Sequence, residues 1–248
     1  MKTKHFIQLV LVCVLFLANN SKLCAQNENS LNESTKYRQD YFVTINLESQ
    51  ANILNPRWKI GFIKTIHSRL KFGVDIAYGN PNLSFWKAET KSTSNPIFTE
   101  HYRLWEFSPQ LYYSINSNNG LPTYISATLF YINHKDIYYK SIYYLSREGT
   151  FGVYYKQANY TRKKYGLVFN YGVLIPISKN IGLNIYTGLG VRLKKNQFTK
   201  VIGETTGDFR RTDTMNILAY RDNKGLYFGS NFSFGIKLYF KNSKTTMF

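Results

Sequence analysis

Three histidines follow the first 25 residues, and each could transfer protons in a hydrolytic reaction. His134 and Asp136 are two positions apart and would share a face of a strand, whereas His101 and Glu106 differ in parity and would point to opposite faces. His67 belongs to a short turn, where a solvated side chain is expected. Acyl hydrolysis or transfer also needs a nucleophile, and local spacing places no serine beside His101 or His134. The sequence therefore favours a protein without catalysis.

Neither cofactor motifs nor a disulfide framework are found in the sequence. It has no nucleotide-binding loop, zinc-protease helix, calcium loop or nucleophile elbow, so no cofactor or metal is expected. The chain begins with basic residues followed by a short apolar run, which is typical of a secretory signal cleaved after Ala25. Both cysteines, Cys13 and Cys24, lie within this predicted signal. The run is shorter than the roughly 20 residues of a membrane-spanning helix. Cys24 leaves a lipoprotein as the alternative, although Leu23 is bulkier than a lipid-attachment site usually accepts.

The chain is strongly basic, with a formal net charge of +18, and the predicted signal contributes only three of the lysines. Such a charge can indicate nucleic-acid binding, but predicted export and the lack of a recognisable nucleic-acid motif argue against it. An anionic membrane surface is the better partner for an exported basic protein. The mean hydropathy of −0.32 is compatible with a membrane barrel, because barrel strands alternate between apolar and polar residues.

From residue 41 onward, apolar and polar residues alternate with a period of two, which predicts β-strands. The clearest segment is 181–193, where six odd positions hold Ile, Leu or Val and three even positions hold Gly. Short links of three to six residues alternate with longer polar links, as expected for an up-and-down barrel with its turns at one end. The eight predicted strands are 41–49, 58–66, 70–79, 101–115, one from 122, one ending near 175, 181–193 and 224–240.

Glycines on the polar faces indicate which face is inside. Glycine weakens an open strand, but small residues suit the narrow interior of an eight-stranded barrel. We therefore expect a closed antiparallel transmembrane β-barrel with its apolar faces toward lipid, rather than a soluble exported barrel. Charges inside must pair or be hydrated, which favours a filled lumen over a narrow conduit. Parity assigns to the interior Glu48, Lys71, Asp75, Glu106, Arg192 and Lys237.

The last strand contains SFGIKLYF, residues 233–240, with a glycine followed by spaced apolar residues and a final aromatic. Together with the eight alternating strands and the signal ending in Ala-Gln, this segment resembles the small OmpA/OmpX-type outer-membrane barrels of Gram-negative bacteria. The resemblance implies Gly235, Leu238 and Phe240 as an insertion signal, although Phe248 is an alternative last aromatic. It also implies outer-membrane lipid, lipopolysaccharide and the barrel assembly machinery as partners. Some such barrels hydrolyse or transfer acyl chains of lipid A, which is the enzyme alternative.

The predicted organisation is a signal at 1–25, a flexible tail at 26–40, the barrel at 41–240 and an extension at 241–248. Residues 136–160 are ambiguous. We favour a hairpin that protrudes from the membrane over two further strands that would make ten.

The long loops are basic, and Arg162, Lys163 and Lys164 are predicted to bind lipopolysaccharide phosphates. A structural or surface-interaction role follows.

Overall fold

The computed structural model describes residues 38–51, 55–83, 99–116, 121–145, 151–208 and 223–245. The predicted signal, most of the predicted tail and Phe248 lie outside the described residues. Within these ranges, no helix is long and apolar enough to cross a membrane.

A helical turn, α1 (Glu48–Ala51), and a 3-10 turn (Pro81–Leu83) accompany the strands. The strands are β1 (Arg38–Asn46), β2 (Trp58–Thr65), β3 (Leu70–Gly79), β4 (Arg103–Asn116), β5 (Thr123–Tyr144), β6 (Phe151–Pro176), β7 (Ile181–Ile202), β8 (Thr205–Asp208) and β9 (Gly225–Thr245).

Eight of these strands form a closed antiparallel ring. Consecutive strands pair from β1 to β7, β7 pairs with β9, and β9 pairs with β1. β8 pairs with the N-terminal end of β6. The predicted eight-stranded up-and-down ring is confirmed. The ten-strand alternative is wrong, because residues 136–144 pair with residues 152–160 as a continuation of β5 and β6 beyond the ring.

The strands differ from the predicted bounds at several ends. Arg38 pairs with Thr245, so the ladder between β1 and β9 extends past the predicted limits of 41 and 240. The first predicted strand is too long, because Glu48 begins the helical turn α1. β7 continues well past Leu193, through a polar stretch in which apolar alternation is weak but pairing with β6 persists.

The two faces of the ring have opposite character. Leu189 and Phe232 point outward and are 68% and 70% exposed, whereas Asp75 and Asn184 point inward and are 2% and 1% exposed. The predicted orientation is thus confirmed, with apolar side chains outside and polar side chains inside. A soluble barrel has the reverse arrangement, with its apolar face in the core.

Candidate functional site

An aromatic cluster fills the interior at the end where the short turns lie. Phe42, Ile63, Tyr112, Tyr124 and Tyr239 come from five strands and are all buried. Their rings meet edge to face, with centroids 5.7 Å apart for Phe42 and Tyr239 and 5.0 Å apart for Tyr112 and Tyr124. The space left among them is about 10 Å³. We call this cluster the turn-side plug.

Inward glycines make room for tyrosine rings on neighbouring strands. A Cβ atom on Gly235 would overlap the ring of Tyr186, and one on Gly182 would overlap that of Tyr239. The cross-strand pairs Tyr186–Gly235 and Gly182–Tyr239 place each ring directly over its glycine. The glycines are therefore required by the large side chains beside them, which the sequence alone did not reveal.

Buried ion pairs lie above the turn-side plug. The Lys237 ammonium donates to Asp75 Oδ2 at 2.6 Å, and Gln110 Nε2 donates to the same oxygen at 2.6 Å. Glu106 accepts from Arg57 at 2.7 Å and forms an ion pair with Lys59 at 2.5 Å. Three predicted lumen charges, Asp75, Glu106 and Lys237, are thus inside and paired. Sequence reasoning missed Arg57, whose loop position hid it, and Lys59, which inward parity in β2 would have identified.

The other predicted lumen charges occupy different depths. Glu48 reaches the interior from α1, where its carboxylate accepts from the Tyr186 hydroxyl at 3.3 Å and from the Ile236 amide at 3.1 Å. Lys71 lies at the turn end, with its ammonium 5.3 Å from the ring centroid of Phe42. Arg192 lies across from Gly229 toward the opposite end.

The link between β1 and β2 folds into the loop-side mouth of the ring. Ser49 is buried there and donates its amide to Asn46 Oδ1 at 3.0 Å. The Tyr102 hydroxyl donates to the Pro56 carbonyl at 3.0 Å. Burial raises the pKa of Tyr102, so its hydroxyl stays protonated as a donor. The link is thereby fixed as part of the interior and positions Arg57 beside Glu106.

A cavity of about 270 Å³ remains between this link and the ion pairs. Its wall includes Arg162 and Lys164 from β6, which were predicted to contact lipopolysaccharide. Both side chains face the interior rather than the outer surface, because β6 keeps its inward parity beyond the apolar belt. Lys163 alternates with them and faces outward. The three residues therefore do not form one site.

The histidine and acid of the enzyme alternative lie close together but are deeply buried. His134 Nε2 is 3.9 Å from Asp136 Oδ2, and both side chains are essentially inaccessible. The Thr99 hydroxyl donates to Asp136 Oδ1 at 2.5 Å. His134 packs between the rings of Tyr102 and Tyr160. The hydroxyl group that bonds to Asp136 here thus belongs to a threonine rather than to a serine.

The remaining histidines are at the surface. His101 Nε2 is 3.4 Å from Glu100 on an exposed turn, and His67 Nδ1 is 3.1 Å from the Ser68 hydroxyl. In the described part of the chain, no group of three or more histidine, cysteine or acidic residues could hold a metal ion.

The predicted insertion signal lies in β9 beside β1. Gly235 faces inward under Tyr186, whereas Leu238 and Phe240 face outward and pair with Ile45 and Val43. Its residues therefore contribute to the seam that closes the ring.

An aromatic extension rises above the ring on the loop side. Tyr138, Tyr143, Tyr155, Tyr160 and Phe198 form its core, and Tyr143 stacks on Phe198 with centroids 4.6 Å apart. The outward lysines of this loop-side extension are exposed, namely Lys140, Lys156 and Lys200.

Neither the family models nor the curated proteins compared with this chain gave a match. Function is therefore inferred from the fold and the geometry of the interior and outer surfaces.

Proposed function

We propose that the chain is a non-catalytic integral protein of a bacterial outer membrane, with a filled barrel and a basic surface that contacts anionic molecules. The observation that carries this proposal is the broad apolar outer surface around a polar interior. Soluble monomers rarely expose contiguous apolar patches beyond a few hundred Å². Here the apolar residues recur on neighbouring strands around the ring, including Ile60, Ile76, Phe169 and Leu189.

Aromatic residues at the loop-side border of this apolar belt support contact with a bilayer. Trp58, Tyr78 and Trp105 lie in register on β2, β3 and β4. The row continues with Tyr131 and Tyr165, whose ring centroids are 4.9 Å apart. Tryptophan and tyrosine favour the interface between hydrocarbon and water. The closed ladder also satisfies backbone groups inside hydrocarbon, as a spanning structure requires.

The outer-membrane location is proposed from the sequence resemblance. A secretory signal would export the chain, and Gly235, Leu238 and Phe240 would be read by the barrel assembly machinery. Leu238 and Phe240 lie at the β1–β9 seam, which is compatible with a role in closing the ring during assembly.

Substitution of a central belt residue tests the bilayer proposal. Leu189→Lys places a charge in the middle of the belt, where it would cost about 2–4 kcal/mol in a membrane. Ile177→Lys is the matched control, because Ile177 is similarly exposed but lies in a turn at the rim. Membrane fractionation should show less assembled protein for Leu189→Lys than for Ile177→Lys. Equal amounts, or wild-type protein in the soluble fraction, would reject a membrane location.

The turn-side plug favours a barrel that does not conduct. An eight-stranded ring leaves room mainly for side chains, and the plug residues occupy that room at one end. Planar-bilayer recordings of the wild-type chain should lack large steady openings. Such openings would instead support the narrow-conduit alternative.

The basic surface that we propose contacts anionic molecules lies on the loop-side extension. Lys140, Lys156 and Lys200 are exposed there, and Lys163 lies below them on the outer face. Lipopolysaccharide phosphates are the anionic partner proposed for this surface. Changing all four lysines to glutamine should reduce the lipopolysaccharide that copurifies. Lys64→Gln/Lys179→Gln, on the turn side, is the control, and an equal loss in both would exclude the extension as the contact site.

A further inference from the structure

Four cations on two paired strands face the loop-side half of the interior. Arg162 and Lys164 belong to β6, and Arg192 and Lys194 belong to β7. Lys164 pairs directly with Lys194 in the ladder. Like charges that are directly opposed on a sheet repel each other.

Three acids, Glu48, Asp75 and Glu106, also line the cavity beside Arg162 and Lys164, but each of them bonds to other groups. Asp75 pairs with Lys237, and Glu106 pairs with Arg57 and Lys59. Glu48 accepts from Tyr186 and from the amide of Ile236. Asp136 accepts from Thr99 and from a backbone amide. In the described ranges, no carboxylate forms an ion pair with Arg162 or Lys164.

Arg162 also has an unused donor inside the ring. Its side chain is 7% exposed, and one of its terminal nitrogens donates to Asn55 Oδ1. Its Nε is buried and has no hydrogen-bond partner within the described residues. An unsatisfied charged donor costs more than a neutral one. The cavity of about 270 Å³ beside Arg162 and Lys164 gives these groups a place to meet a ligand.

We infer that this cavity binds a small soluble oxyanion, of the phosphate class, between Arg162 and Lys164. A guanidinium can bind two oxygens of such an anion, and an ammonium can bind a third. Thr128 and Ser126 add hydroxyl groups to the wall. The volume is just below the roughly 300–1,000 Å³ of drug-sized sites, which suits a smaller anion.

The position of the cavity favours a soluble anion over a lipid headgroup. Arg162 and Lys164 lie behind continuous pairing of β6 with β5 and β7, so an acyl chain on the outer face cannot reach them laterally. A soluble anion would enter from the loop side. This inference concerns the interior and holds whether or not the outer belt meets lipid.

Thermal unfolding of the full-length chain in an uncharged detergent tests the inference, with inorganic phosphate replacing chloride at constant ionic strength. Phosphate should raise the melting temperature in a saturable manner, because a ligand that binds the folded state stabilises it. Lys164→Gln should weaken phosphate binding by about tenfold or more, since it removes a charged donor. Lys64→Gln, an exposed outward lysine on the turn side, should change binding by less than about twofold, and Lys164→Arg should retain it.

The same experiment separates binding from folding. In chloride alone, Lys164→Gln should melt at the wild-type temperature or higher, because it relieves repulsion among cations. A lower temperature would show that the lysine charge is already compensated, which would overturn the inference. Three further results would also overturn it: no phosphate-specific shift, an equal loss in Lys64→Gln, or a shift only with micelles that contain a phosphomonoester lipid.

Discussion

The turn-side and loop-side halves of the interior are built on the same strands but balance charge differently. On the turn side, the plug is tightly packed, and above it Lys237 pairs with Asp75 Oδ2. On the loop side, Arg162 and Lys164 face a cavity and form no ion pair with a carboxylate of the described residues, because the acids in its wall bond to other groups. Because burial of an unpaired charge is costly, the loop-side half should contribute less to the free energy of unfolding. One half of the interior therefore maintains the fold, while the other half is available for binding.

The largest expected contrast comes from removing one lysine in each half. Lys237→Met leaves the buried Asp75 carboxylate without its cation and should lower the free energy of unfolding by about 3–5 kcal/mol. Lys164→Met removes a repelled cation and should leave this free energy unchanged or higher. Denaturant titration of both variants measures the difference.

A double variant provides the control for this contrast. Asp75→Asn/Lys237→Met removes both charges and should recover part of the lost stability, because no lone ion remains. Equal destabilisation by Lys237→Met and Lys164→Met would abolish the distinction between the two halves.

A smaller contrast concerns two inward glycines of β9. Gly235→Ala forces the new methyl group against the Tyr186 ring and should cost about 1–3 kcal/mol. At Gly229 the nearest atom to a new Cβ is Arg192 Nε at 4.0 Å, so Gly229→Ala should be close to neutral. The same titration tests the pair, and a comparable cost at Gly229 would mean that the loop-side half is as tightly filled as the turn-side half.

The contact that holds the β1–β2 link in the mouth should have an intermediate effect. Tyr102→Phe removes the hydroxyl that donates to the Pro56 carbonyl and should cost about 1 kcal/mol. Tyr78→Phe is the control, because the Tyr78 ring is exposed on the outer face. Unfolding by denaturant measures both, and no cost at Tyr102 would mean that the link is not held by this bond.

The smallest effect is expected at the turn-side rim, outside the plug. Asp40 Oδ2 and Lys241 Nζ are 2.9 Å apart, and both side chains are partly exposed. Asp40→Asn should cost no more than about 1 kcal/mol, and less as salt is added. Unfolding at low and high salt measures this, and a cost as large as that of Lys237→Met would place the rim pair among the essential buried pairs.

The turn-side half was largely predictable from the sequence. Strict alternation identified β3 with its observed bounds, and parity placed Asp75 and Lys237 inside. The pairing of these two residues was not predictable, because they are distant in sequence and meet only when the ring closes. The plug tyrosines were hidden for the same reason, since each glycine and its ring lie on different strands.

The loop-side half was harder to predict because its strands lack apolar alternation. Arg162, Lys163 and Lys164 look like a solvated surface run, yet the pleat of β6 continues and sends alternate residues inside. Glu48 and Ser49, the first two residues of α1, were predicted as the end of a strand, but in the helical turn the Glu48 side chain enters the mouth of the ring. Local composition could not distinguish a surface loop from a strand that continues above the belt.

The outer face of the ring should meet hydrocarbon, whereas the loop-side cavity should meet water. Spin labels on Leu189→Cys and Asn231→Cys in the chain without its predicted signal test this directly in reconstituted bilayers. Leu189 faces outward, and Asn231 lines the cavity from the neighbouring strand. Oxygen should relax the label at position 189 more strongly than a water-soluble nickel chelate does, and the order should be the opposite at position 231. Strong relaxation by the nickel chelate at position 189 would contradict it.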